Sequence, residues 1–375
     1  MRIVLAPDSF KGSASAVEAV EALARGWRSV RPADEIVARP MADGGEGTLD
    51  ALLIAVPDAR RMPVRVTGPD SRPVDAHWVL LPAAPRVAVV ELAATSGITL
   101  LEHPAPDDAH TFGFGEAIAA ALDYRDAEGR GVDLVLLALG GSCSTDGGAG
   151  ALRALGARLL DDAGEEVAPG NRGLHALASV DLGGLRAWPA GGAIMLGDVD
   201  APLLGSRGAA AVFGPQKGVV DVAHADAGLA RLAALLPHVD DATPGAGAAG
   251  GVGFGLLAAG ARMSSGARRI AEAVFLADAL AVADLVITGE GRFDGQTAGG
   301  KAPAEVARLA ADAGVPVAVV AGSVADDADR AGLAALIELA TLAGSTAAAI
   351  ADAEHWLERA GAALAARAVP RRRRL

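Results

Sequence analysis

The stretch with the densest potential chemistry is the glycine-rich segment at residues 288–301. It combines two carboxylates and two cations with several glycines, and its candidate site residues are Gly289, Glu290, Arg292, Asp294 and Lys301. Glycine lets the backbone approach a ligand closely, while the charged side chains can hold a metal ion, a phosphate or a substrate. An apolar run precedes the segment and a helical pattern follows it, and loops in that position bind anions in open α/β sheets. The segment therefore predicts an anion-binding loop.

Similar loops follow other apolar runs, each of which predicts a buried strand. They lie in the N-terminal region and in the middle of the chain. Because the carboxyl ends of parallel strands lie along one edge of a sheet, loops of the same sheet are expected to converge on one crevice. The candidates that these loops supply are Asp8, Ser9 and Lys11; Asp43, Gly44, Gly45 and Glu46; Gly140, Gly141, Ser142, Asp146 and Gly147; and Asp198.

Several of these residues have a structural alternative that the sequence leaves open. Asp8 and Ser9 could cap the first predicted helix, and Asp146 could cap the helix that follows it. The acidic loop at residues 43–46 could be a turn, although two acids among glycines favour a bound cation or an accepted hydroxyl proton. Lys217 lies in a Gly/Pro loop, where it could meet an anion or belong to a solvated turn.

Composition argues against several classes of partner and location. The formal net charge is −13, which argues against nucleic acid and anionic membranes as partners because both need a basic surface. Aromatic residues make up 3% of the chain, so few side chains could stack on the bases of a single-stranded nucleic acid. The arginines at 371–374 depart from this, and we favour a solvated end over an anion-binding tail. Cys143 is the single cysteine and no histidine lies near it, so we expect a small, partly buried side chain, no intrachain disulfide and a cytoplasmic location. The absence of a signal-peptide pattern and the many glycines at 242–261 predict a soluble protein.

The order of the predicted elements indicates an α/β fold with two domains. Strands and helices alternate at both ends of the chain, which predicts a parallel sheet, while short β-rich runs between residues 60 and 90 predict antiparallel hairpins. We predict a discontinuous parallel-sheet domain from residues 1–70 and 284–375, an inserted mixed α/β domain from residues 71–283, and an active site in the cleft between them. Helices are predicted, among others, at 150–160, 267–282 and 346–366, and the strand before the 288–301 segment at 285–288.

Six short motifs occur along the chain: APDSFKGS at residues 6–13, MADGGEGT at 41–48, GGS at 140–142, TDGG at 145–148, FGPQKG at 213–218 and TGEGRFD at 288–294. In content and order they resemble the signatures of the type-1 glycerate kinases. The likeness runs from residue 1 to about residue 365, and only the arginine-rich terminus falls outside it. The resemblance implies two α/β domains, one of them flavodoxin-like and discontinuous. It also implies an ATP-dependent kinase that phosphorylates D-glycerate, most often at the 2-hydroxyl to give 2-phosphoglycerate.

The candidate residues suit phosphoryl transfer, which needs a positioned hydroxyl, cations around the phosphoryl group and metal-bridged phosphates. We expect Lys11 and Lys301 to contact phosphate or carboxylate, and Arg292 to clamp the substrate or the transferring group. Asp294 is the predicted acceptor of the hydroxyl proton, with Asp198 as its rival. The other candidates are expected to contact substrate or nucleotide. The predicted Mg²⁺ ligands are Asp43, Glu46 and Asp198, and the glycines predicted to line the phosphates of ATP are Gly140, Gly141, Gly147 and Gly148.

The sequence leaves other functions open. Alternatives to 2-phosphorylation are phosphorylation at the 3-hydroxyl, a kinase for another small hydroxy acid, a phosphatase, a nicotinamide-dependent dehydrogenase, and a sugar-acid sensor on the same scaffold. The coexistence of several acids in the loops favours an enzyme over a sensor. D-glycerate and ATP are the expected small-molecule partners, and both a monomer and a homodimer are compatible with the sequence.

Overall fold

The structure is a computed structural model that describes residues 1–10, 12–295 and 301–368. The strands of this part of the chain are β1 (Arg2–Pro7), β2 (Glu35–Ala38), β3 (Arg60–Thr67), β4 (Pro73–Leu81), β5 (Val87–Glu91), β6 (Leu134–Ala138), β7 (Arg158–Leu160), β8 (Ser179–Asp181), β9 (Ala193–Leu196), β10 (Arg262–Ser264), β11 (Leu285–Phe293), β12 (Val317–Val324) and β13 (Ala335–Glu338). The α-helices are α1 (Ala16–Val30), α2 (Thr48–Ala55), α3 (Ala93–Ser96), α4 (Phe112–Asp123), α5 (Ala149–Ala154), α6 (Gly170–Leu174), α7 (Ala209–Phe213), α8 (Val222–Leu235), α9 (Ala248–Ala258), α10 (Gly266–Ala273), α11 (Leu276–Ala281), α12 (Ala302–Ala313), α13 (Leu339–Ala343), α14 (Thr346–Ala351) and α15 (Ala353–Arg367). Short 3₁₀ turns lie at Ile98–Leu100 and Pro215–Lys217.

The chain divides into two compact units, of which the first comprises Met1–Asp43, Asp50–Pro57 and Ser265–Leu375. Its sheet has the order β2-β1-β11-β12-β13, and all of its strand pairs are parallel. In chain order this is the 2-1-3-4-5 arrangement of flavodoxin-like sheets, whose topological switch point lies between the first and third strands. The predicted flavodoxin-like parallel sheet is therefore confirmed, and its switch point lies between β1 and β11.

Helices α1 and α15 of the first unit pack closely through glycine. A Cβ atom at Gly26 in α1 would collide with the carbonyl oxygen of Glu358, and one at Gly361 in α15 would collide with the carbonyl oxygen of Leu23. The start of α1 is fixed by a capping box, in which the Ser15 hydroxyl accepts from the amide of the third helical residue. Glycine at both contact points lets the two helix backbones approach each other directly.

The second unit comprises Gly44–Leu49 and Asp58–Ser264. Its main sheet has the order β10-β9-β6-β5-β4-β3. The β3–β4 and β4–β5 pairs are antiparallel, while β5, β6, β9 and β10 are joined by parallel pairs. The antiparallel hairpins and the mixed character that the sequence predicts are confirmed. Among the described residues, no helix combines the length and apolar character needed to cross a membrane.

The unit boundaries differ in position from those predicted at residues 70 and 284. Residues 58–70 belong to the second unit, because β3 pairs along its whole length with β4. Residues 265–283 belong to the first unit, where they form α10 and α11. The turn residues in the sequence indicate where the connections lie, but they do not show with which unit the neighbouring strand or helix packs.

Three predicted helices are shorter than expected, because the backbone leaves the helical conformation inside each. The helix predicted at 150–160 ends at Ala154, and after Gly156 (φ +110°) the chain forms β7 instead. The helix predicted at 267–282 is interrupted at Phe275, which has a φ of +53°. The helix predicted at 346–366 is broken at Asp352, where φ is −142°. An apolar pattern of helical period passes through each of these breaks, so the sequence did not reveal them.

Candidate active site

In the first unit, the candidate residues gather at the carboxyl edge of the sheet beside the switch point. The last residues of β1 pair with β11, with Pro7 opposite Gly289. The next amide, that of Asp8, donates a hydrogen bond to the carbonyl oxygen of Gly289 at 2.8 Å. The Asp8 carboxylate accepts a hydrogen bond from the Ser9 amide at 2.6 Å. The loop after β1 therefore lies directly against β11, in the position where flavodoxin-like sheets bind ligands.

Strand β11 extends further than predicted, which changes the placement of the most prominent motif. The strand was expected to end at residue 288, but it continues to Phe293, with Glu290 paired to Ala321 and Arg292 paired to Ser323 of β12. Glu290 and Arg292 are thus strand residues two positions apart, so they lie on the same face of the sheet. Only the part of the motif from Asp294 onwards lies beyond the strand.

Asp294 lies next to two cationic side chains. Its carboxylate is 3.3 Å from Nε of Arg292 and 3.9 Å from Nζ of Lys301. The Asp294 side chain is 17% exposed and that of Arg292 is 72% exposed, so the acid is largely covered while the guanidinium reaches into solvent. An acid beside two cations offers both a proton acceptor and attachment points for an anionic substrate.

Some glycines of these motifs serve the packing of the sheet. A Cβ atom at Gly289 would collide with the carbonyl oxygen of Val320, and one at Gly322 would collide with that of Gly291. Gly266 at the start of α10 could not carry a Cβ either, because it would collide with the carbonyl oxygen of Asp43. Close approach of one backbone to another explains these positions without a ligand, and the prediction that Gly289 contacts the ligand stays a prediction. Asp43 itself is half-buried.

Lys11 and residues 296–300 lie outside the described residues. The role predicted for Lys11 in binding phosphate or carboxylate accordingly stays a prediction. The structure does describe Lys301, which immediately precedes α12.

In the second unit, two predicted loops pack backbone against backbone. The amide of Gly140 donates to the carbonyl oxygen of Gly44 at 2.9 Å, and a Cβ atom at Gly140 would collide with Cα of Gly45. A Cβ atom at Gly44 would lie 2.7 Å from the carbonyl oxygen of Leu196, the last residue of β9. Gly44, Gly45 and Gly140 thus lie close together beside the carboxyl ends of β6 and β9.

Glu91 is a residue of this region that the sequence reasoning missed. It is the last residue of β5 and is 5% exposed. Its carboxylate accepts hydrogen bonds from the amides of Gly47 at 3.3 Å and Leu49 at 3.1 Å, at the start of α2. An acid directly after the apolar run at 87–90 was the available signal, since a polar residue at the end of a buried strand is unusual in a core position.

Asp146 holds the 140–148 loop in place. Its carboxylate is fully buried and accepts from the amide and hydroxyl of Thr111 at 2.9 and 2.8 Å. It also accepts from the amides of Gly148 at 3.1 Å and Gly150 at 3.2 Å, and from the hydroxyl of Ser144 at 3.3 Å. Five donors occupy this carboxylate, among them an amide at the start of α5, but the N-cap residue of that helix is Gly148 and not Asp146. Binding of nucleotide by Asp146 stays a prediction.

Lys217 is buried against the same loop. Its side chain is 2% exposed, and Nζ donates to Oγ of Ser142 at 2.7 Å and to the carbonyl oxygen of Ser144 at 2.6 Å. The solvated turn that the sequence left open is therefore wrong. Burial lowers the pKa of Lys217 to about 8, because an apolar environment disfavours the charged amine.

Cys143, between the two serines, is an inert thiol. It is 1% exposed and its Sγ contacts the carbonyl oxygen of Ser96 at 3.2 Å. Burial raises the pKa of the thiol to about 12, so the reactive thiolate is disfavoured at neutral pH. The side chain is thus more deeply buried than the partial burial that the sequence predicted.

The predicted metal ligands are distributed over both units. Asp43 belongs to the first unit, whereas Glu46 and Asp198 belong to the second, in which both are exposed. Within residues 1–10, 12–295 and 301–368, no group of three or more His, Cys, Asp and Glu side chains is arranged to hold a metal ion. The Mg²⁺ site stays a prediction.

Comparison with known proteins identifies the family. The model of the glycerate kinase family matches residues 3–369. The chain belongs to the glycerate kinase family. This membership confirms the resemblance drawn from the six motifs and the prediction that the protein is a kinase.

Individual relatives agree with this family assignment. The glycerate kinase of Bacillus subtilis (strain 168) is 42% identical over 322 residues, which cover 83% of this chain and 82% of the relative. The glycerate 2-kinase of Escherichia coli (strain K12) is 39% identical over 320 residues, with the same coverage of both chains. A crystal structure of a protein from Salmonella typhimurium LT2 assigned as glycerate kinase 2 superposes with a TM-score of 0.81 at 39% identity and covers 98% of both chains.

Proposed function

We propose that this protein transfers the terminal phosphoryl group of ATP to the 2-hydroxyl of D-glycerate, giving 2-phosphoglycerate and ADP. The observation that carries the proposal is the match to the glycerate kinase family over residues 3–369. The choice of the 2-hydroxyl is supported by the E. coli relative, which is named glycerate 2-kinase and is 39% identical.

The acid and the two cations beside β11 suit the acceptor half of this reaction. Asp294 is the group that we assign to accept the proton of the attacking hydroxyl, because it is largely covered and lies at the edge of the sheet. Arg292 and Lys301, at 3.3 and 3.9 Å from that carboxylate, are assigned to the carboxylate of glycerate or to the transferring phosphoryl group. Guanidinium and ammonium groups bind both kinds of anion strongly.

The 140–148 loop is assigned to the phosphates of ATP. Gly141, Gly147 and Gly148 have φ values of +75°, +65° and +77°, and backbone of this kind can turn amide groups towards an anion. The buried ammonium of Lys217 adds positive charge beside the loop. ATP enters phosphoryl transfer as its Mg²⁺ complex, and the carboxylates Asp43, Glu46 and Asp198 are of the type that Mg²⁺ prefers.

The direct test is an assay of ADP formation from ATP with D-glycerate as acceptor, followed by phosphorus NMR of the product. The proposal expects glycerate-dependent ADP formation and the signal of a phosphate ester at carbon 2. A 3-phosphoglycerate product would contradict the assigned hydroxyl, and absence of glycerate-dependent turnover would contradict the function itself.

The assignment of Asp294 is tested by Asp294→Asn, with Asp278→Asn as the matched control. The substitution at Asp294 removes the proton acceptor and keeps the size of the side chain, so kcat is expected to fall by about 10²–10⁴-fold. The KM for ATP is expected to change little. Asp278 is an exposed acid in the first turn of α11, and its replacement should leave both constants unchanged. Turnover of Asp294→Asn within a few-fold of the unmodified enzyme would remove Asp294 from the role of base.

A further inference from the structure

Lysine is rare in this chain, and the positions where it occurs are unusual. Of the 33 Lys and Arg residues, only three are lysines: Lys11, Lys217 and Lys301. Each has glycine as a direct neighbour in the sequence, and two of them are candidate site residues. A chain that otherwise uses arginine for its positive charges therefore uses lysine only in glycine-rich motifs. The third lysine, Lys217, is the one that the sequence analysis did not include among the candidate site residues.

The contacts of Lys217 are with one loop. It closes the 3₁₀ turn Pro215–Lys217, and its side chain is 2% exposed. Nζ donates to Oγ of Ser142 and to the carbonyl oxygen of Ser144, at 2.7 and 2.6 Å. These two acceptors flank Cys143 in the 140–148 loop. The ammonium thereby fixes a loop more than seventy residues earlier in the chain.

The space around the ammonium is shaped for lysine. Gly250 lies in the left-handed run at residues 249–251 inside α9, where φ is +55°, +75° and +89°. A Cβ atom at Gly250 would lie 2.8 Å from Nζ of Lys217 and would collide with the carbonyl oxygen of Ser144. The compact ammonium fits against this glycine, whereas a planar guanidinium is larger and presents its donors in a fixed fork. This accounts for lysine in a chain that otherwise favours arginine.

The charge of Lys217 has no ion-pair partner within the described part of the chain, where its hydrogen bonds go to a hydroxyl and a carbonyl group. The acidic group that acts on it at longer range is Asp146, whose carboxylate is occupied by five donors. Burying a charge without a counter-ion is costly, and an apolar side chain would often be more stable there. A costly buried charge beside a loop with turned amide groups suits the binding of an anion.

We propose that Lys217 is a positioning residue for nucleotide binding: its ammonium holds Ser142 and Ser144 so that the 140–148 loop is shaped for the phosphates of ATP, and it adds positive charge behind that loop. This inference rests on the proposed function, in which that loop binds ATP. Lys217 acts through the loop, because its own side chain is buried.

The test compares Lys217→Met with the matched control Gln216→Met in the full-length protein. Met is close to Lys in length and lacks the charge, and Gln216 is the exposed neighbour in the same turn. The dissociation constant of MgATP is measured by isothermal titration calorimetry at pH 7.0 and 9.5. We expect about a tenfold weaker Kd for Lys217→Met at pH 7.0, the scale of one lost charged hydrogen bond, and an unchanged Kd for Gln216→Met. The KM for D-glycerate is expected to stay within about threefold, a split that general destabilisation would not produce.

The pH dependence provides a second measurement that needs no substitution. The ammonium of Lys217 loses its proton at about pH 8, so MgATP should bind more weakly to the unmodified protein at pH 9.5 than at pH 7.0. The titratable groups that act on Lys217 are the Cys143 thiol and the Asp146 carboxylate. The Cys143 thiol has a pKa of about 12, which lies above this range. In Lys217→Met the change of Kd with pH should be smaller. The ratio of the Kd of Lys217→Met to that of the unmodified protein should therefore fall towards one as the pH rises from 7.0 to 9.5.

Two results would overturn the inference. One is a Kd for folded Lys217→Met at pH 7.0 within twofold of that of the unmodified protein. The other is a ratio of these two Kd values that is the same at pH 7.0 and pH 9.5. Circular dichroism establishes whether the variant folds. If it misfolds, the binding of MgATP to the unmodified protein at the two pH values decides the question. Binding at pH 9.5 that is as tight as at pH 7.0, or tighter, would refute the role of Lys217. Calorimetry with MgATP needs no glycerate. A failure of the proposed acceptor would therefore appear in the ADP assay, and a failure of this inference in the Kd values.

Discussion

The burial of Lys217 makes a quantitative prediction about stability. In the unfolded chain its amine has the ordinary pKa of 10.5, and in the folded protein burial lowers that pKa to about 8. Below about pH 8 both states carry the proton, so the folded state bears the full cost of the buried charge. With a difference of 2.5 pKa units between those values and 1.36 kcal/mol per unit, this cost is about 3 kcal/mol.

The sign of the pH dependence follows from proton binding. Between the two pKa values the unfolded state holds more protons than the folded state, so the free energy of unfolding rises with pH. At pH 6.5 nearly the whole cost is present, and at pH 9.5 about 1 kcal/mol of it remains. Lys217 should therefore make the unmodified protein about 2 kcal/mol more stable at pH 9.5 than at pH 6.5, relative to a variant with no amine there.

The assay is urea unfolding of the unmodified protein and of Lys217→Met at these two pH values, followed by the fluorescence of tryptophan. Trp78 and Trp188 both lie in the second unit with Lys217. Met leaves the acceptors on Ser142 and Ser144 without their donor at both pH values, so that loss cancels in the comparison. The exposed control Gln216→Met should follow the unmodified protein at both pH values. The difference in the free energy of unfolding between the unmodified protein and Lys217→Met should change between pH 6.5 and pH 9.5. If it stays constant within about 0.5 kcal/mol, the charge of Lys217 is not buried without compensation.

Two further predictions concern the first unit. Gly26→Ala should lower the free energy of unfolding by about 1–3 kcal/mol, because its Cβ would collide with the carbonyl oxygen of Glu358; an unchanged melting temperature would contradict the direct contact of α1 and α15. Asp34 has a pKa lowered to about 2, since hydrogen bonds from Arg31, the N-terminal amine and Trp27 outweigh the opposing effect of burial. Because the folded pKa lies below the unfolded one, Asp34→Asn should destabilise the protein above about pH 4, and the difference should disappear as the pH falls to about 2 in acid-unfolding curves. A difference that persists at pH 2 would show that the hydrogen bonds do not depend on the charge.

The sheet of the first unit could be predicted because its strands are short apolar runs followed by polar loops. β1, β2 and β12 lie where the sequence indicated, with bounds that differ by a few residues. The end of β11 could not be found in this way, since residues 289–292 combine glycine with charged side chains and look like a loop. Pairing with β12 continues to Phe293, so partners from another strand decided the conformation against the local composition.

The candidate site was predictable as a set of loops and less so as a set of contacts. The placement of Asp8 beside Gly289 follows from the rule that parallel strands end at one edge. The contact of Gly44 with Gly140 does not follow from it, because Gly44 comes after β2 and Gly140 after β6, which belong to different sheets. The burial of Lys217 does not follow from any local pattern, because its acceptors lie in a different loop. Asp146 illustrates the same limit, since both a cap and a ligand were compatible with its position in the sequence.

Asp146 and Lys217 act on the 140–148 loop with opposite chemistry, which explains why both are buried. The carboxylate of Asp146 accepts only, and it takes up the amide and hydroxyl of Thr111 before α4 and the amides of Gly148 and Gly150 at the end of the loop and the start of α5. The ammonium of Lys217 donates only, and it takes up the hydroxyl of Ser142 and the carbonyl group of Ser144. The 140–148 loop, with its left-handed glycines Gly141, Gly147 and Gly148, is thus hydrogen-bonded to one charged group of each sign. A loop fixed in this way loses little conformational entropy when it binds an anion, and such preorganisation is what a phosphate site requires.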